Sequence, residues 1–349
     1  MSGRRIVPRA LPRTAPALSA LALAAALTAG CSTPEPHVTR TAEETHGSVR
    51  GEPAPGAASP YWVDPGSDAA RQVRAWEREG READAKVLRR IADRPVAVWP
   101  AWDDPAPQIR AAARSAARTK KTILLVAYNI PHRDCGLYSA GGAKDADAYR
   151  SWIGEFADAV GDAPATVVLE PDALPHIADG CTPPEHHTER YQLLSEAVRA
   201  LKARPNTKVY VDAGNPDWIK EPAKIGEPLK RAGIDGADGF SLNVSNFQSN
   251  ESVKEYAALL SGTVGDAHYV IDTSRNGNGP LSGGRDEAWC NPPGRGLGTP
   301  PTTDTGDDRL DAYLWIKRPG ESDGTCRGGP RAGAWWPEYA LGLAKRAKT

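Results

Sequence analysis

The chain reads as an α/β protein whose largely parallel sheet curls into a closed or nearly closed barrel. Three observations carry that reading. Short apolar runs at 95–99, 122–127, 165–169, 208–211, 239–242, 268–271 and 312–316 have the length and β-branched content of buried strands. Stretches with helical spacing lie between them, and strand–helix alternation makes parallel pairing the rule. Seven such runs can curl a sheet round on itself, and the roughly 290 residues beyond position 60 suit one barrel domain.

Taken in order, the chain begins with a processing signal. Arg4, Arg5, Arg9 and Arg13 form a basic region. The apolar stretch that follows, 15–29, is too short for a spanning helix of roughly 20 residues. It ends in Leu27-Thr28-Ala29-Gly30-Cys31, small residues just before a cysteine. This predicts a lipoprotein-type signal over 1–30 with Cys31 lipidated; the alternative is an ordinary secretory signal. Residues 31–60, rich in Pro, Gly, Thr and Glu and without apolar periodicity, read as a disordered tether. Residues 61–349 then form one domain, with no internal repeat and no second linker.

Within that domain, 69–91 and 108–118 have helical patterning. Tyr149, Trp152, Ile153, Phe156 and Val160 fall on one helix face, as do Tyr191, Leu194, Val198 and Leu201. Trp76 and Trp152 sit at helical spacing and are expected in the core. The formal charge is −1, and cleavage before Cys31 removes four arginines and no acid, giving −1 − 4 = −5. Without a basic block, nucleic acid is not the expected partner. Aromatic usage is skewed to 10 Trp and 10 Tyr against 3 Phe, side chains with broad faces and a polar handle that suit stacking on sugar rings.

Of the five cysteines, Cys31 is assigned to the signal. No C-x-x-C spacing points to zinc or redox chemistry. Export favours disulfides, and four remaining cysteines allow three pairings.

Chemistry gathers where the apolar runs end: at Trp99, Tyr128, Glu170-Pro171-Asp172, Asp212, Asn243, Asp272 and Lys317. In a barrel these positions converge on the C-terminal face, where such folds keep their sites. Carboxylates crowded there are driven to different protonation states, which suits acid–base cleavage of a glycosidic bond. No phosphate loop, metal motif or serine elbow competes. Asp272 and Arg275 read as a buried ion pair, Arg133 as a partner for a carboxylate, and His186-His187 as solvated.

The stretch Tyr128-Asn129-Ile130-Pro131-His132-Arg133-Asp134-Cys135, continued through Gly136 to Ala143, resembles the first signature of glycoside hydrolase family 6, which contains cellulases. Blocks resembling the family follow in order at Glu170-Pro171-Asp172, Asp212-Ala213-Gly214, Asn243 to Phe247, Asp272 to Gly277, Trp289-Cys290-Asn291, and Lys317 with Glu321-Ser322-Asp323-Gly324. The resemblance runs from about Tyr61 to the C-terminus. It implies an irregular, about seven-stranded parallel β/α barrel. It also implies inverting hydrolysis of internal β-1,4-glucosidic bonds in cellulose or related β-glucans.

By the same resemblance Asp172 matches the general acid, and Asp134 the aspartate that tunes it and acts as remote base through water. Asp323 and Asp212 match further active-site carboxylates, Asp323 being the rival base. Tyr128 matches the residue that crowds the sugar at the cleavage point, and Ser139 one that can hold the water. Trp99, Trp218 and Trp289 match sugar platforms. Asn246, Lys317 and Glu321 match polar contacts to hydroxyls. The resemblance selects Cys135–Cys181 and Cys290–Cys326 as the disulfides. One departure is Asn215, where family members commonly carry histidine after Asp-Ala-Gly; asparagine hydrogen-bonds but cannot titrate.

The loops that would roof a tunnel are short: eight residues separate Asp172 from Cys181. The expectation is therefore an open cleft and endo action, in a monomeric extracellular enzyme needing no cofactor or metal, tied to the membrane only through Cys31. The alternatives are an exo-acting cellobiohydrolase and a lipid-anchored carbohydrate-binding receptor without catalysis.

Overall fold

Six strands form one sheet in sequential order, every neighbouring pair parallel. They are β1 (Ile123–Ala127), β2 (Ala165–Leu169), β3 (Thr207–Asp212), β4 (Gly239–Leu242), β5 (His268–Asp272) and β6 (Leu310–Leu314). The computed structural model describes residues 59–282 and 288–348; the signal expected over 1–30, Cys31 and nearly all of the 31–60 tether lie outside the described residues.

The expected first strand, 95–99, forms no regular ladder. Val98 makes an isolated parallel bridge to Leu125. Its segment nevertheless spans the gap: Val98 N donates to Leu124 O at 2.9 Å and Ala97 N to Trp315 O at 3.0 Å, joining the β1 edge to the β6 edge. Pro95 and Pro100 bracket this segment and offer no N–H, which limits it to a few hydrogen bonds. The sheet thus has six strands and a short closing segment, the distorted β/α barrel expected.

Nine helices occur among the described residues: α1 (Asp68–Arg78), α2 (Glu82–Ala92), α3 (Ala106–Ala117), α4 (Ala146–Val160), α5 (Pro175–Ala178), α6 (His187–Lys202), α7 (Ala223–Arg231), α8 (Asn250–Thr263) and α9 (Pro337–Lys345). The helical pattern at 69–91 is broken into α1 and α2 because Gly80 takes φ +75°. Ser67, Asp145 and Ser249 cap α1, α4 and α8 through their side chains.

Strand alternation decides which residues face the barrel mouth. Ile123, Leu125, Val167, Leu169, Val209, Val211 and Phe240 pack outward with Tyr149, Trp152, Phe156, Leu194 and Val198 of the helices. Leu124, Val126, Val168, Tyr210, Val270, Ala312 and Leu314 form the inner cluster. Continuing the inner register one step beyond each strand core brings Tyr128, Glu170, Asp212 and Asp272 to the mouth. Trp76 is core as expected, in a separate cluster with α1, α2 and α9.

Candidate active site

Two expected aspartates meet at the mouth. Asp134 begins a single 3-10 turn after β1, and Asp172 follows β2; both have left-handed backbones, φ +57° and +71°. Non-glycine residues in that region are strained, and such strain gathers at functional sites. Asp134, Asp172 and His176 bring one donor atom each within 4.8 Å of the others. Ser139 N donates to Asp134 Oδ2 at 2.6 Å, fixing one carboxylate oxygen. His176 Nε2 lies 3.8 Å from Asp134 Oδ1, and its Nδ1 lies 3.6 Å from Asp179 Oδ2.

The electrostatics of this cluster are uneven. Burial pushes the Asp172 carboxyl upward, and Asp134 adds to the push while His176 and Lys317 oppose it. Burial also disfavours charge on His176, but Asp134, Asp179 and Asp172 outweigh it and raise the imidazole to about 9. The imidazole proton therefore balances these carboxylates at neutral pH. A metal ion would have to displace that proton. The neighbouring group of Cys135, His176 and Cys181 has its sulfurs committed to a disulfide.

Buried carboxylates hold the surrounding backbone. Glu170 accepts from the N–H groups of Asn129 and Ile130 at 2.9 and 3.0 Å, pinning the loop that follows Tyr128; burial raises its carboxyl to about 7. Asp212 accepts from Asp172 N at 2.9 Å, Gly214 N at 3.2 Å and Ser241 Oγ at 3.1 Å. It is also pushed up by burial and by Asp172. Asp212 thus sets the backbone of Asp172. Tyr128 stacks under the Arg133 guanidinium at 4.5 Å and meets Trp99 edge-on at 5.4 Å. Arg133 does not take the carboxylate expected for it: it donates to the carbonyls of Tyr128 and Ser139, bracing the loop by hydrogen bonds.

A second cluster centres on Asp323. It is buried, 2.8 Å from Arg275 Nη1 and 3.4 Å from Lys317 Nζ, and accepts from Asn291 N at 2.9 Å. Burial would raise its carboxyl, but the two cations win and hold it below the ordinary value. The expected Asp272–Arg275 pair is therefore corrected. Asp272 instead accepts from four backbone amides, of Ser245, Ser274, Ile316 and Lys317. The register explains this: Asp272 ends β5 facing inward, whereas Arg275 reaches on to Asp323 and to Ser245 O.

Glu321 is buried against Arg318 at 2.7 Å. Asn246 turns its Oδ1 to Phe247 N at 2.8 Å. Trp99 donates to Ile316 O at 2.9 Å and Trp218 to Asp179 Oδ2 at 2.8 Å, so each indole is fixed at its nitrogen. Trp289 is exposed and faces Tyr138 at 6.0 Å. Tyr138 also covers Gly324, where an added Cβ would strike its ring at 2.5 Å, so the loop bearing Asp134 touches the loop bearing Asp323. Asn215 accepts from Asp217 N and Trp218 N, both at 3.1 Å, and is buried as a turn cap.

Disulfides Cys135–Cys181 and Cys290–Cys326 both form, one beside each cluster. His186 and His187 are half-buried: His186 stacks on His132 at 4.0 Å and His187 contacts Thr182 O at 2.7 Å. The residues that sequence reasoning passed over are His176 and Asp179; Arg275 was expected in an ion pair, but with a different partner. Only the Glu-Pro-Asp block four residues upstream hinted at the first.

The family model for glycosyl hydrolases family 6 matches residues 57–347. The chain is 42% identical over 303 residues to endoglucanase A of Thermobispora bispora, an alignment covering 84% of this chain and 64% of that protein. The chain thus spans somewhat less than two thirds of that relative's length. It is 42% identical to endoglucanase 1 of Streptomyces halstedii, covering 80% of this chain and 87% of that one. Among solved structures it resembles the endoglucanase Cel6 from Mycobacterium tuberculosis in complex with a methyl-cellobiosyl-4-deoxy-4-thio-β-cellobioside. There the TM-score is 0.77 and the identity 41%, covering 83% of this chain and 98% of that one.

Proposed function

This chain belongs to glycosyl hydrolase family 6, and from that premise we propose that it is an inverting endo-β-1,4-glucanase with Asp172 as general acid. The observation that carries the reading is the asymmetric aspartate pair. Asp172 is raised by burial and by its neighbour, so it can hold a proton to deliver to the leaving oxygen. Asp134 stands beside the His176 cation and takes the proton of the attacking water. Asp323 is the weaker candidate for base, because Arg275 and Lys317 hold its lone pairs and lower its basicity.

The substrate reading follows from the platforms. Trp99, Trp218 and Trp289 offer indole faces to pyranose rings, and Lys317, Glu321 and Asn246 offer polar groups to hydroxyls. Tyr128 crowds the cleavage point, and Ser139 holds the attacking water. Export, with Cys31 as lipid anchor and a monomeric domain over 61–349, places the enzyme outside the cell on extended β-glucan. The relatives' names support endo action, as do the short loops.

The test is Asp172→Ala on unactivated cello-oligosaccharide, read as new reducing ends. The rate should fall at least about 10²-fold, the general-acid range, and by less on substrates with good leaving groups. Near-normal hydrolysis of the unactivated substrate would remove Asp172 from the role.

A further inference from the structure

His176 has no part in the reading above beyond its charge, yet its setting is unusual. It lies on α5, a single turn, and is only 5% exposed. Neither ring nitrogen has a hydrogen-bond partner at normal distance. Each nitrogen instead faces a carboxylate, Asp134 at 3.8 Å and Asp179 at 3.6 Å. Trp218 meets the ring edge-on at 4.9 Å, and the Cys135 and Cys181 sulfurs lie within 4.8 Å of it. The titratable groups facing it are thus Asp134 from the turn after β1, Asp172 from the loop after β2, and Asp179 from the end of α5.

These contacts form a line. Trp218, a candidate sugar platform, donates to Asp179 through its indole N–H. Asp179 faces His176 Nδ1, and His176 Nε2 faces Asp134. The other oxygen of Asp134 is held by Ser139 N. Two crowded carboxylates alone do not decide which one keeps its charge. A cation nearer one of them, aimed at one oxygen, does decide it.

We propose that His176 is a positioning residue of this hydrolysis: facing Asp179 with one ring nitrogen, it faces Asp134 with the other and fixes that carboxylate beside Asp172. The inference rests on the functional reading of Asp172 and Asp134. Burial and the three carboxylates keep the ring protonated well past neutral pH. Without the ring's charge, Asp134 Oδ1 would lose its facing cation and Ser139 N alone would hold the carboxylate.

The experiment uses the full chain and cellopentaose, with kcat/KM profiles against pH for wild type, His176→Gln and His176→Lys, and ring nitrogen NMR of the wild type. His176→Gln should lose about tenfold in kcat with little change in KM, and its acidic limb should move up by about one pH unit. His176→Lys should bring that limb back toward the wild-type position. The His176 ring should remain an imidazolium at pH 8. If His176→Gln folds and its profile keeps the wild-type limbs, the residue is structural and the inference fails while the functional reading stands. A neutral imidazole in the wild type at pH 7 overturns it even if the variants misfold. If the wild type cleaves no β-glucan, the functional reading and this inference fall together.

Discussion

Replacing Arg275 by methionine keeps most of the side-chain volume and removes the charge opposite Asp323. The pair is buried on both sides, with a 2.8 Å contact. At an effective dielectric of about 20 that distance corresponds to roughly 6 kcal/mol of attraction, most of it offset by the desolvation of two ions. Breaking one side of such a pair typically costs about 3–5 kcal/mol, because a charge is left buried. Here Lys317 Nζ remains 3.4 Å from Asp323. The expected loss is therefore at the low end, about 3 kcal/mol.

The pH dependence carries the diagnosis. Asp323 is held below its ordinary value of 3.8. Its contribution is present above that value and is lost as pH falls through the lower folded value. Urea denaturation should show the full loss at pH 7. At pH 3, below the ordinary carboxyl value, the difference should be smaller, and it should keep falling toward about 1 kcal/mol, the share of the Ser245 hydrogen bond that the variant also lacks, as pH drops through the lower folded value. A loss below about 1 kcal/mol at pH 7, or one of equal size at both pH values, refutes the ion-pair account.

Other outcomes follow from the same geometry. Glu170 is raised from 4.5 to about 7, so the folded state binds its proton more tightly and ionisation costs stability as pH rises through about 7. Glu170→Gln should consequently gain on wild type by about 3 kcal/mol between pH 4 and pH 8 in denaturant titrations, and a pH-independent difference would contradict this. For endo action, the viscosity of soluble cellulose should drop steeply while few reducing ends have formed. Cellobiose accumulating from the start at nearly constant viscosity would mean that the enzyme works from chain ends.

The legible part of this fold came from alternation. Runs such as 123–127 and 165–169 are apolar but for Thr166 and rich in β-branched residues, so their strand character is plain, and the polar residues after them mark the mouth. Tyr128, Glu170, Asp212 and Asp272 all share the inward register that a period of two dictates. The 95–99 segment has the apolar content of a strand, but Pro95 within it and Pro100 just after it leave only the Val98–Leu125 bridge. The break within 69–91 rests on one residue, Gly80, whose left-handed backbone separates the two helices.

Partnerships were harder to see than elements. Arg275 pairs with a residue 48 positions later, not with the aspartate three positions before it. Proximity in sequence is a poor guide where backbone amides can satisfy the nearer carboxylate. His176 sits on one helical turn with no periodicity to mark it, and of the carboxylates that face it only Asp179 is near it on the same turn, Asp134 coming from the loop after β1. The disulfide partners were never derivable from spacing; the family resemblance selected them, and the two pairings are present.

The most direct measurement of the acid–base assignment is the anomeric form of the first product. Hydrolysis of a β-linked cello-oligosaccharide should be followed by proton NMR within the first turnovers, before mutarotation. With Asp172 protonating the leaving oxygen and water attacking from the opposite face under Asp134, the new reducing end must appear as the α-anomer. A β-anomer appearing first would mean a covalent glycosyl-enzyme intermediate and would contradict the roles given to both aspartates.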